Sequence, residues 1–256
     1  MARIFITGSS EGIGAVAARK LIQQGHSVIL HARNESRAQD AKKNCPGAED
    51  CLIGDLSSIS ATKQLAEEAN KKYGSLDAVV HNAGVWHKDQ DPRTENGISN
   101  TFVVNSLAPF ILTSLMNKPK RIIYVSSGLH GNGDQTLKDV GWQKRTEINC
   151  FQAYSDTKLH NAIFSAAVAR LWPDVKSTSL DPGWVPTKLG TYGATGDIEM
   201  SGDAIAFLAT DGGQSGQHYS QSQKLKRPHR AAANVEKQDQ LLKTYEEMAG
   251  VQFPRS

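Results

Sequence analysis

Residues 7–14 read Thr-Gly-Ser-Ser-Glu-Gly-Ile-Gly, TGSSEGIG, directly behind the apolar run Ile4-Phe5-Ile6 and directly ahead of Ala15-Val16-Ala17-Ala18. Glycine loses more backbone entropy on folding than any other residue, so Gly8, Gly12 and Gly14 together need a local cause. A strand ending at Thr7 and a helix starting near Gly12 place them in a βα turn. There the main-chain amides and the positive end of a helix can hold a pyrophosphate. The spacing is GxxxGxG and differs from the commoner GxGxxG, so a tight glycine turn without a ligand stays open as the alternative at this point.

The same alternation continues outward along the chain. Short β-branched runs predict strands at Arg3–Thr7, Ser27–Ala32, Asp50–Gly54, Leu76–His81, Arg121–Ser126, Val175–Leu180 and near Gln217–Ser220. Helix-period segments lie between them near Ile13–Gln24, Glu35–Asn44, Ser58–Tyr73, Ile98–Leu115, Ala153–Leu171 and Gly202–Thr210, with a last helix from about Ala231 to Ala249. Strands alternating with helices predict right-handed βαβ units: an α/β, doubly wound parallel sheet covered on both faces, a single-domain Rossmann-like fold. With no internal repeat and no linker-like shift in composition, residues 1–256 are expected to form one dinucleotide-binding catalytic domain. Residues 221–256 form its C-terminal extension.

Composition narrows the ligands. The 256 residues are 39% apolar and 21% charged with a formal charge of +3, ordinary for a globular protein and too weakly basic to suggest nucleic acid as a partner. Small molecules are the expected ligands. Cys45, Cys51 and Cys150 are odd in number and form no CxxC pair, so neither a metal nor a dithiol site is expected. The longest apolar candidate, Phe102 to Met116, is interrupted by Asn105, Ser106 and Pro109, so no membrane partner is expected. A strand starting within three residues of Met1 and a C-terminus reading FPRS carry no targeting signal, and a cytoplasmic location is the default expectation.

Further motifs appear in order: HNAG at His81–Gly84, VVNSLAPF at Val103–Phe110, IIYVSS at Ile122–Ser127, YSDTK at Tyr154–Lys158 and DPGWVPT at Asp181–Thr187. Together with TGSSEGIG, this series resembles the short-chain dehydrogenase/reductase family over roughly residues 2 to 220. The long Ser-to-Tyr gap, SDTKLHNAIF and PGWV are most similar to its retinol-dehydrogenase-like branch. The resemblance implies an oxidoreductase that uses a nicotinamide cofactor.

The chemistry can also be read from the residues. Tyr154 and Lys158 stand four apart, so on a helix they share one face. A phenol titrating at about 10 is a poor acid–base catalyst near neutrality, and a cation fixed beside it would lower that value. Tyr154 would then give a proton to a carbonyl oxygen, or take one from an alcohol in reverse. Ser127, at the carboxyl end of its strand, is expected by resemblance to hold the substrate oxygen while Ser126 caps the turn. Asn105 is out of place in an apolar helical stretch, because a buried amide needs partners. The resemblance makes it hold a water that links Lys158 to solvent.

For the cofactor, Gly8, Ser9, Ser10, Gly12, Ile13 and Gly14 would surround the pyrophosphate. By the same resemblance Asp55 and Leu56 would meet the adenine, with an ordinary strand-end turn as the alternative, and Asn82, Ala83 and Gly84 would meet the adenine ribose. Pro182, Gly183, Val185 and Thr187 would border the nicotinamide, with Tyr154 and Lys158 also at the cofactor. The second strand ends HARNESR, with Arg33 and no acid before Glu35. An acid there would bind a ribose 2′-hydroxyl and an arginine suits a 2′-phosphate, so NADP(H) is expected over NAD. Ser9, Ser10 and Asn34 could join Arg33 at that phosphate, Arg37 is a second cation, and Glu11 is expected to turn away.

The segments Gly128–Phe151 and Trp184–Met200 are expected to border the substrate, and they carry His130, Trp142, Phe151, Trp184 and Tyr192. Such aromatics suggest an apolar or ring-bearing carbonyl compound or alcohol. For His130 a solvated loop position is preferred to substrate contact. Gln223–Arg230, QKLKRPHR, reads as a solvated basic segment. After the fourth predicted helix the chain has only MNKPKR up to and including the strand's first residue, Arg121, which leaves a homo-oligomer open. The expected activity is NADP(H)-dependent reduction of a ketone or aldehyde to an alcohol. An NAD-linked alcohol dehydrogenase and a catalytically silent NADP(H)-binding regulator are the alternatives.

Overall fold

The computed structural model describes residues 1–94, 96–190 and 193–255. Seven parallel strands, β1 (Arg3–Ile6), β2 (Ser27–Ala32), β3 (Asp50–Ile53), β4 (Ala78–His81), β5 (Arg121–Val125), β6 (Lys176–Asp181) and β7 (His218–Ser220), lie in the order β3-β2-β1-β4-β5-β6-β7. Phe5 pairs with Ile29 on one side and with Val79 on the other. The strand order reverses at β1, which opens a crevice at the carboxyl ends of β1 and β4.

Alternation along β1 divides the core. Ile4 and Ile6 pack beneath α1 (Gly12–Gln23), α2 (Glu35–Asn44) and α7 (Ile198–Ala209), whereas Phe5 points through the sheet towards α3 (Ile59–Tyr73) and the helix of residues 100–115. Strands buried on both faces account for their near-continuous apolar runs. α6 (Cys150–Leu171) buries Tyr154 to Phe164 without interruption, because α8 (Val235–Ala249) packs over its outer side. Tyr245 of α8 sits among Phe102, Phe110 and Phe164 and shares a hydrogen bond with Ser106.

The expected strands are all present to within two residues. The expected helix Ile98–Leu115 is instead α4 (Asn100–Phe102), a π turn (Val103–Leu107) and α5 (Ala108–Leu115). Pro109 has no N–H to return to the carbonyl of Asn105, and Ala108 N–H reaches back five residues to Val103. Two helices begin earlier than the apolar pattern suggests. Asn149 caps α6 through Gln152 N–H, and Asp197 caps α7 through Glu199 N–H. The last helix begins at Val235, capped by Asn234, after a separate 3-10 turn at Arg230–Ala233.

The basic tract is not simply solvated. Leu225 bridges Tyr219, Lys226 N–H donates to the His218 carbonyl at 2.8 Å, and His229 caps the 3-10 turn. The segment lies as a strap along β7. Among the described residues, no helix is long and apolar enough to cross a membrane.

Candidate active site

A cleft of about 1270 Å³ opens along the carboxyl ends of the strands. Gly8 adopts φ +63°, and a Cβ there would come within 2.8 Å of the Ala83 Cα, so only glycine lets the first turn lie against the end of β4. Gly14 fits for a related reason: a side chain would strike the Asn82 amide at 2.5 Å. Asn82 in turn donates to the carbonyls of Thr7 and Gly8, and the Thr7 hydroxyl accepts from the N–H groups of Asn82 and Ala83. These contacts fix the turn so that α1 begins at the cleft with no side-chain cap on its first amides. An uncapped helix N-terminus beside Gly12 and Ile13 suits an anionic group.

Sequence reasoning missed the residue that holds the turn from below. His31 in β2 accepts from Gly8 N–H through Nδ1 at 3.0 Å and bonds the Gly54 carbonyl through Nε2 at 2.9 Å. Nε2 therefore carries the proton. Burial lowers the His31 pKa to about 4, against the opposing pull of the Gly54 bond. The only signal was a polar ring inside an apolar strand, which needs partners.

Several expectations about the phosphate region need correction. Ser9 is fully buried, and its hydroxyl joins the Ile6 carbonyl to His31 N–H, so it does not face the cleft. The Asn34 amide caps α2 by accepting from Arg37 N–H. Glu11 does not turn away: it stays on the cleft wall between Arg37 at 2.9 Å and Lys188 at 2.6 Å. Burial alone would raise its pKa, but hydrogen bonds from Lys188 and Arg37 hold the carboxyl below the usual range. Arg37 also bonds Ser10 and Asp40 and is thereby committed. Arg33 is exposed, lines the cleft and has no hydrogen-bond or ion-pair partner among the described residues.

Asp55 directs Oδ1 to the Ser57 N–H and hydroxyl, which leaves Oδ2 open to the cleft, with Leu56 buried beside it. At the opposite end Gly183 N–H donates to Asp181, the Pro182 carbonyl accepts from Ser201, and Val185 is buried. The Thr187 hydroxyl accepts from Gly190 N–H and keeps its own proton free.

Ser127, Tyr154 and Lys158 meet on the cleft wall. Ser127 Oγ accepts from Leu129 N–H at 3.2 Å and lies on the same cleft wall as the Tyr154 phenol. Lys158 Nζ lies 5.3 Å from the Tyr154 ring centre and donates to the Val125 carbonyl at 3.0 Å. Burial raises the Tyr154 pKa above its ordinary value; the Ser127 hydroxyl opposes this, and the Asp181 carboxylate adds to it. The phenol is thus protonated at neutral pH rather than poised near it, because enclosure outweighs the influence of Ser127. Burial brings Lys158 down to about 8. Asn105 is fully buried, but both its amide protons are taken by the Val85 carbonyl and Thr157 Oγ1, and Oδ1 accepts from Val85 N–H. Its amide joins the Gly84–Val85 turn to α6, and its Oδ1 and Lys158 Nζ would both meet a Cβ on Gly84 at 3.5 Å.

Of the aromatics expected at the substrate end, Phe151 and Trp184 line the cleft at 45% and 56% exposure. Trp142 does not: it is buried with its indole N–H on Asp156. His130 is neither solvated nor in the cleft, since its Nδ1 bonds the Ser127 carbonyl and its Nε2 accepts from His229 N–H. Tyr192 lies outside the described residues. Trp86, which the sequence reading passed over, stacks on Tyr154 with ring centres 4.9 Å apart and planes 18° apart. Its position two residues after HNAG was the available signal.

Residues 2–138 match the family model described as short chain dehydrogenase. The chain belongs to the short-chain dehydrogenase/reductase family. It is similar to the "Uncharacterized oxidoreductase AN7799" of Emericella nidulans, at 44% identity over 99% of both chains. It also resembles mouse retinol dehydrogenase 14, at 31% identity over 74% of this chain and 63% of that one. Among solved structures, an NADPH-bound carbonyl reductase from chicken fatty liver aligns with a TM-score of 0.66 at 19% identity, covering 88% of this chain and 98% of that one, which speaks to fold alone. This family member is therefore an oxidoreductase built for a nicotinamide cofactor. Its uncapped α1 N-terminus, open Asp55 oxygen and unpartnered Arg33 fit such a group along one cleft.

Proposed function

We propose that the protein is an NADP(H)-dependent carbonyl reductase that acts on apolar or ring-bearing ketones or aldehydes and runs in reverse as an alcohol dehydrogenase. The observation that carries the reading is the meeting of a protonated Tyr154 with Ser127 and Lys158 on the wall of the nucleotide-sized cleft. When bound, the reduced nicotinamide supplies the hydride. The Ser127 hydroxyl is placed on the same wall to hold the substrate carbonyl oxygen. Tyr154 gives its phenolic proton to the same oxygen as negative charge develops there, and the Lys158 ammonium lowers the cost of the phenolate left behind.

Arg33 supports NADP(H) over NAD, since a free guanidinium at the end of β2 matches a 2′-phosphate and no acid competes for that place. The aromatic surfaces of Trp86, Phe151 and Trp184 support a ring-bearing substrate. The NADPH-bound carbonyl reductase of the same fold is consistent with the cofactor reading. The test is to measure NADPH and NADH binding and to screen ring-bearing carbonyl compounds with each. Tighter NADPH binding with turnover supports the reading. Equal affinities would overturn the cofactor assignment, and tight NADPH binding without any turnover would favour the regulator.

A further inference from the structure

The strap along β7 reaches back to the site at one point. Lys226 Nζ contacts Asp181 Oδ2 at 2.5 Å, and Asp181 Oδ1 accepts from Gly183 N–H at 3.0 Å. The Asp181 side chain is 8% exposed and the Lys226 side chain 44%, so the pair spans from cleft wall to solvent. Asp181 ends β6 next to the Ser126–Gly128 turn: Ser126 N–H bonds the Leu180 carbonyl, and a Cβ on Gly128 would touch Asp181 Oδ2 at 3.4 Å. A buried carboxylate therefore stands beside the segment that carries Ser127 and acts electrostatically on Tyr154.

Other ionisable groups around it offer less compensation. His218 on β7 faces Asp181 and is neutral near pH 7, its pKa lowered to about 4 mainly by burial. The His130 ring lies against His218, centres 4.8 Å apart and planes tilted by 55°, with both its ring nitrogens engaged. Lys158 on α6 is directed to the Val125 carbonyl. Lys226 is thus the cation placed against the carboxylate. Burial would raise the Asp181 pKa, yet Lys226 and the Gly183 N–H keep the group ionised, with its pKa below the ordinary value.

We propose that Lys226 is a positioning residue for the reaction: by pairing with Asp181 it offsets a carboxylate beside Tyr154 and so sets the pH range in which the Tyr154 hydroxyl exchanges its proton with the substrate oxygen. The proposal rests on the proton-transfer role of Tyr154. In alcohol oxidation the phenolate takes the substrate hydroxyl proton, and in carbonyl reduction the phenol returns it. An uncompensated carboxylate disfavours the phenolate, and an uncompensated ammonium favours it. Single neutralisations of the two partners therefore have opposite signs.

The experiment is the pH profile of kcat/KM for alcohol oxidation in wild type, Lys226→Met, Asp181→Asn and the double variant. A second measurement that needs no substrate follows phenolate ultraviolet absorbance against pH, with each protein's Tyr154→Phe counterpart as the blank. Lys226→Met should move the ionisation to higher pH by about one unit. Asp181→Asn should move it to lower pH, the double variant should lie near wild type, and Lys226→Arg should restore it. Lys226 is half in solvent, so its replacements are expected to fold. Shifts of the same sign in both single variants, or no shift in either measurement, would overturn the proposal. Persistence of activity and of its pH limb in Tyr154→Phe alone would instead overturn the proton-donor reading.

Discussion

At the scale of single residues, the site shows how burial and hydrogen-bond commitment decide what a side chain is free to do. Ser9 and Asn105 have suitable chemistry for ligands, but their side-chain polar atoms are engaged within the protein, and Asn34 commits its Oδ1 to capping α2. Such commitments depend on three-dimensional neighbours and cannot be read from a motif. Arg33 is the reverse case: the end of β2 was recognisable in HARNESR, and its guanidinium is free. Arg33→Asp should therefore lose a charge-assisted contact of about 1.5–3 kcal/mol, or roughly 10- to 150-fold in NADPH affinity, while NADH binding holds or improves. Titration of both cofactors against the variant checks this, and an unchanged NADPH affinity would remove Arg33 from the phosphate site.

At the scale of elements, the glycine turn was legible because strand, turn and helix each leave a local mark: an apolar run, closely spaced glycines, then small residues at helical spacing. The π turn was less so. Pro109 was visible, but its effect is to widen the preceding turn rather than to end the helix. The early starts of α6 and α7 were hidden because their first turns are exposed or half-buried and carry no apolar stripe, although Asn149 and Asp197 are good caps. His31 joins three elements at once, the glycine turn, β2 and the end of β3. His31→Leu keeps a side chain of similar bulk and orphans the Gly8 N–H and the Gly54 carbonyl. Each orphan costs about 1–3 kcal/mol, so the urea midpoint should fall and cofactor affinity should fall with it. An unchanged midpoint would show that the turn is held by its glycines and Asn82 alone.

At the scale of the whole molecule, a doubly wound parallel sheet followed from the alternation of strands and helices, whereas the order of its strands was not read from the sequence. The cover that α8 gives to α6 was not read either, because an amphipathic C-terminal helix does not declare its partner. The same enclosure makes the fold acid-sensitive. Burial lowers His31 and His218 to about 4, and His81 and His160 to about 3. Each imidazole binds its proton more readily in the unfolded chain, at about 6.5. Their contribution is therefore whole above about pH 6.5 and is lost progressively as the pH falls towards 4 and 3. Carboxylates held below their usual values, such as Asp50 and Asp77, lose stability in the same direction at lower pH. Melting temperature should drop steeply between pH 6.5 and 4.5 and change little between pH 7 and 8. A flat profile down to pH 4.5 would contradict the neutral, buried assignment of the four rings.

The central claim is that Tyr154 delivers the proton during carbonyl reduction. The direct measurement is NADPH consumption, followed at the nicotinamide absorbance with a ring-bearing ketone, in wild type and Tyr154→Phe. The substitution keeps the ring that stacks on Trp86 and removes only the hydroxyl. Turnover should fall by about 10²–10⁴ with NADPH affinity nearly unchanged; turnover equal to wild type would contradict the account.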